Sequence, residues 1–115
     1  HFVSTVFAHP DRPTAIINRA NASVLSQVLM ALHDAGMSIP QDVSVLSCGT
    51  YFEGEPTRFP ITEMPVMPEE LCAEAMNLLV SAIEEHTDIK GSVELIEPAM
   101  KRRGSVAEAG SGGTI

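Results

Sequence analysis

An α/β fold built on a parallel sheet is predicted by three features of the sequence. Two short apolar runs, Thr14–Ile17 and Val43–Cys48, are the length of strands buried on both faces. Between them, from Ala22 to Ala35, the apolar spacing changes to a helical period. Strand, helix and strand within about 35 residues make a βαβ unit, whose strands run parallel through a right-handed crossover.

The size and charge of the chain narrow what such a unit can do. With 115 residues and a formal net charge of −8, it is one modest domain or a piece of a larger one. At 44% hydrophobic and 19% charged it reads as globular rather than disordered. Seven Lys and Arg against fifteen Asp and Glu leave no basic face to neutralise phosphates, which argues against nucleic-acid binding by this stretch itself. Cys48 and Cys72 stand alone, so neither a disulfide scaffold nor a cysteine zinc site is expected; they fit a reducing compartment, and a cytoplasmic location is expected. No apolar run approaches the ~18 residues of a membrane span, and no membrane partner is expected.

Taken in order, residues 2–8 carry Phe2, Val3, Val6 and Phe7 at the spacing of one helix face. The pattern is already under way at His1, so a fragment or processed chain is expected. His9-Pro10-Asp11-Arg12-Pro13 stops it, because two prolines in four residues break a helix. After the first strand, Val24, Leu25, Val28, Leu29, Leu32 and Ala35 trace a helix that Gly36 should end. Asn21 or Ser23 can cap its start by accepting a free backbone N–H. Met30 and Ala31 widen the apolar arc beyond what one sheet face needs, through either deep burial or contact with a partner subunit.

Ser38–Asp42 is a loop before the second strand. Parallel strands place Asn18-Arg19-Ala20-Asn21 and Gly49-Thr50-Tyr51-Phe52-Glu53 side by side at their carboxyl edge, where open α/β sheets bind ligands. Residues 53–60 form an irregular crossing, and Ile61–Met64 a short strand. Pro68, Glu69 and Glu70 suit a first helical turn, and Leu71, Ala75, Leu78, Leu79, Ala82, Ile83 and His86 continue as a stripe to near Thr87. Val93–Ile96 reads as a strand, Lys101-Arg102-Arg103 as a solvated basic strand end, and Gly104–Ile115 as a mobile Gly/Ser-rich tail.

No catalytic constellation assembles from these residues, and no enzyme activity is expected. His1, His9, His33 and His86 lack metal-ligand spacing and read as solvated groups, so no metal and no cofactor are expected. There is no phosphate loop and no nucleophile elbow. Glu69-Glu70 and Glu84-Glu85 are adjacent helix positions that point apart, as solvated charges do.

Arg12-Pro13-Thr14-Ala15-Ile16, the segment Asn21–Gly36 and Ile39-Pro40-Gln41-Asp42-Val43-Ser44-Val45-Leu46 resemble, in order, the effector-binding core of lactose-repressor/galactose-repressor (LacI/GalR) type bacterial transcription regulators. Phe59-Pro60-Ile61-Thr62-Glu63 is similar to that family's Pro-Pro-Leu-Thr-Thr, and Arg103-Gly104-Ser105-Val106 to its closing Arg-x-Ser-Thr. The resemblance covers residues 8–106, with one extra residue around Asn18.

The resemblance implies a portion of a periplasmic-binding-protein-like fold of two lobes around an effector cleft. It places residues 1–58 and 92–106 in the C-terminal lobe, 59–91 in a crossing segment and helix of the N-terminal lobe, and 107–115 in a flexible tail. It implies a homodimer through Val24, Val28, Met30 and Ala31, and operator DNA bound only through a separate N-terminal helix-turn-helix headpiece. Arg19, Asn21, Ala22, Thr50 and Tyr51 are the candidate effector residues.

Two departures bear on the effector. Asn21-Ala22 stands where sugar-binding members have Asn-Asp, and Ser47-Cys48-Gly49-Thr50 where many have Gly-Phe-Asp-Asp. A carboxylate holds sugar hydroxyls by accepting charge-assisted hydrogen bonds and an alanine cannot. With the acids gone and Arg19 present, the expected small-molecule effector is a sugar or an anionic metabolite, and an anionic or amide-bearing effector suits these residues better than the usual sugar. The rival reading is a periplasmic-type solute receptor for transport or signalling, and an α/β enzyme fragment is a third.

Overall fold

The computed structural model describes residues 2–48, 59–65 and 67–109. Its elements are α1 (Phe2–Phe7), β1 (Ala15–Asn18), α2 (Ala22–Asp34), β2 (Ser44–Cys48), β3 (Thr62–Met64) and α3 (Pro68–Glu84). The strands form one sheet in the order β1-β2-β3, parallel throughout, with Ile16 opposite Val45 and Leu46 opposite Thr62. The chain is thus α/β with a parallel sheet, as the apolar runs predict.

Local chemistry accounts for the ends of α2. The Asn21 side chain accepts from the Val24 N–H at 3.1 Å, which satisfies one of the free donors of the first turn. At the other end Gly36 takes φ +71°, its N–H donates to His33 O, and the Met37 N–H reaches back to Leu32 O. This left-handed stop needs a residue without a Cβ penalty, and glycine supplies it. Between these ends Leu25, Leu29 and Leu32 face Val43, Val45, Ile61 and Phe7, forming the core on one side of the sheet. Each such leucine contributes roughly 1.5–3 kcal/mol relative to exposure.

The loops beneath the sheet are bound to one another. Asp42 accepts from the Ser38 N–H at 2.8 Å, and Arg12 Nη1 donates to the Asp42 carbonyl at 2.7 Å. The turn at 9–13 and the loop at 38–42 are therefore one structure. β1 is not buried on both faces as its apolar run suggests: alternate residues of a strand point to opposite faces, and Ile17 on the face away from the core is 65% exposed.

α3 stands apart from this core. Only Ala82 of its apolar stripe is buried, and Leu71, Leu79 and Ile83 are exposed. It ends at Glu84, short of the expected Thr87, because His86 adopts φ +52° while the Thr87 N–H bonds to Ala82 O. The radius of gyration is 18.7 Å, against about 13 Å for a compact chain of this length.

Three expectations from composition are corrected. Val93–Ile96 is not a strand: Val93 and Leu95 are exposed, and no strand lies beside them among the described residues. Gly104–Ala107 is not the head of a loose tail. Ser105 Oγ donates to Val45 O at 2.6 Å and accepts from Thr62 N at 2.7 Å, and the Ala107 N–H bonds to Ser44 Oγ at 3.0 Å. Nor is the basic cluster wholly solvated, since Arg103 Nη1 lies 2.8 Å from Glu63 Oε1 and donates to Ile61 O at 3.2 Å. Residue type alone does not reveal these partners, which lie about 40 to 60 positions away in sequence.

Candidate functional site

Parallel pairing sets Asn18, the last residue of β1, opposite Ser47 of β2, and so brings the carboxyl ends of both strands to one edge. Asn18 belongs to the strand and is buried, whereas the sequence places it in the loop. Its Nδ2 donates to Ala20 O at 3.1 Å and to Ser47 Oγ at 3.4 Å, and its Oδ1 accepts from the Ala20 N–H at 3.4 Å. A buried amide of this kind requires partners, and here it finds them by wrapping the turn at Arg19-Ala20 and joining it to β2.

Arg19 is held on that turn, exposed. Asn21 is exposed too, but its side-chain oxygen is committed to the α2 cap, leaving the amide nitrogen as its remaining donor. Ala22 opens α2 half-buried and offers no polar group. The first turn of α2 therefore meets this edge beside a guanidinium, and no Asp or Glu lies in that turn to offset the positive end of the helix. Cys48, half-buried, ends β2 at the same edge. Thr50 and Tyr51 lie outside the described residues, so of the expected effector residues the structure groups Arg19, Asn21 and Ala22.

Ser47, fully buried, escapes sequence reasoning because a serine within an apolar run carries no functional signal. Asn18 gives a slight one, as an amide ending a run of branched apolar residues.

The expected interface residues divide across α2. Val24, Val28 and Ala31 follow i, i+4, i+7 along one flank, with Val24 exposed and Val28 packed on the core. Met30 is exposed elsewhere on the helix, lining a groove of about 180 Å³ with Ser26, Leu29, His33, Asp34 and Phe59. A second recess, about 400 Å³, lies at the amino ends of β1 and β2 among Arg12, Gln41, Asp42, Ser44 and Glu108. It is away from the candidate edge, and its one arginine is already engaged by Asp42.

Among the described residues no helix is long and apolar enough to cross a membrane. The family described as periplasmic binding protein-like domain matches residues 2–106. No curated protein matches the chain.

Proposed function

The chain belongs to the periplasmic binding protein-like domain family, whose members bind small-molecule ligands, and from that premise we propose that it is the effector-sensing part of a LacI/GalR-type transcription regulator. It binds its effector without chemical turnover. The observation that carries the binding reading is the pairing of Asn18 with Ser47, which sets the Arg19–Asn21 turn at the carboxyl edge of parallel strands.

The regulator reading is supported by the ordered motifs from Arg12 to Ser105. Their residues also bond to one another in the fold: Arg12 to Asp42, Thr62 to Ser105, Arg103 to Ile61. Effector binding would change lobe closure, and a homodimer built on the Val24–Val28–Ala31 flank would pass that change to helix-turn-helix headpieces on operator DNA.

The effector is an anionic metabolite. Arg19 and the uncompensated amino end of α2 favour negative charge, and Ala22 cannot accept hydrogen bonds from sugar hydroxyls. Thermal-shift measurements with neutral sugars, sugar phosphates and carboxylates test this. Stabilisation by an anion that is lost in Arg19→Gln is expected, and selective stabilisation by a neutral sugar would overturn it. A signal peptide encoded upstream, in place of a basic helix-turn-helix, would favour the solute receptor.

A further inference from the structure

Residues 65–100, including α3, are joined to the sheet by two segments, β3 leaving and residues 101–107 returning. The returning segment is fastened in three steps. At the bottom, Ser105 is fixed between Val45 and Thr62. Above it, the Arg103 N–H donates to Thr62 Oγ1 at 3.1 Å and Arg103 Nη1 to Ile61 O at 3.2 Å. Highest of all, Glu63 and Lys101 exchange two backbone hydrogen bonds, 3.0 and 2.8 Å, in an isolated antiparallel bridge. Past this point the bridge is not continued, and the next long element, α3, has one buried residue.

The side chains of the last fastened rung are themselves linked. The Glu63 carboxylate, with 8% of its side chain exposed, meets the Arg103 guanidinium at 2.8 Å. A carboxylate so far from water is costly unless paired, so any geometry that separates it from the guanidinium leaves an uncompensated buried charge. We propose that Glu63 and Arg103 form a clasp that fixes the direction in which residues 65–100 leave the sheet. The clasp is a positioning device at the pivot of that excursion. It rests on these bonds and is independent of the effector and of the regulator reading.

The chain supplies its own reporters. Cys48 ends β2 in the sheet and Cys72 is exposed on α3. Nitroxide labels on both, read by pulsed electron spin resonance, measure the distance across the pivot. In the unsubstituted protein, diluted with unlabelled chain so that only distances within one chain are read, a single narrow distribution is expected. Glu63→Gln and Arg103→Gln should each broaden it at least two-fold with unchanged helical circular dichroism, whereas Arg102→Gln, an exposed neighbour of equal charge, should leave it unaltered. Distributions like the parent's in both folded variants would overturn the proposal. So would equal broadening by Arg102→Gln, or failure of Arg103→Gln to fold while Glu63→Gln keeps the parental distribution.

Discussion

The hydroxyl of Ser105 accepts from the backbone N–H of Thr62 at 2.7 Å and donates to the Val45 carbonyl at 2.6 Å, so one buried oxygen joins β3 to β2 at the first rung of their ladder. Ser105→Ala removes a partner from two buried backbone groups. Each unsatisfied group costs about 1–3 kcal/mol, so a loss of roughly 2–4 kcal/mol in urea unfolding is expected. A loss below about 0.5 kcal/mol would show that the hydroxyl is dispensable.

The two left-handed helix stops should respond oppositely. Gly36 at φ +71° has open space for a Cβ but the wrong backbone for one, so Gly36→Ala is expected to cost about 1 kcal/mol. His86 already bears that strain at φ +52°, and His86→Gly should return about 0.5–1 kcal/mol. Helical circular dichroism against denaturant reads both, and two changes of the same sign would contradict the assignment.

Burial separates the two long helices sharply. Leu32 of α2 is fully enclosed, and Leu32→Ala should cost about 2–5 kcal/mol. Ile83 of α3 is 64% exposed, so Ile83→Ala should change the stability of the chain on its own by less than about 0.5 kcal/mol. Comparable losses at the two positions would mean that α3 is covered.

Exposed apolar surface on α3 and on the free sheet face predicts association. Ile17 on the sheet face and Leu79 and Ile83 on α3 are large apolar side chains left 65%, 46% and 64% exposed, and apolar surface of this kind favours contact with other molecules. The chain by itself should bind a hydrophobic dye and sediment as a mixture that grows with concentration. A monomer that melts cooperatively and binds no dye would contradict this.

In the sheet body β1 and β2 were legible as short apolar runs between turn residues, and α2 by its helical period. Ile16, Val45 and Ile61 are apolar where the core needs them, and Asn21 and Gly36 mark the limits of α2 by chemistry that operates within four residues. The pairing of β3 with β2 was not legible, since a three-residue strand has too little pattern to reveal its neighbour. Arg103 and Ser105 were misjudged for a related reason: a basic run and a Gly/Ser stretch look solvated until Glu63 and Val45 are brought beside them. At the candidate edge Arg19 and Asn21 were found from the turn between β1 and α2. The buried link from Asn18 to Ser47 was not, because it depends on a register that only the folded sheet defines.

The fastening of residues 105–107 to Ser44 and Val45 spans about 60 positions of sequence. During synthesis, β1, α2, β2 and β3 emerge before the residues that cover Ser44 and Val45 at the amino end of β2, and that end stays open until the ribosome has delivered Ala107. Closure of this sheet is therefore a late event in the life of the nascent polypeptide, and until then its bare strand invites pairing with whatever else is being made nearby.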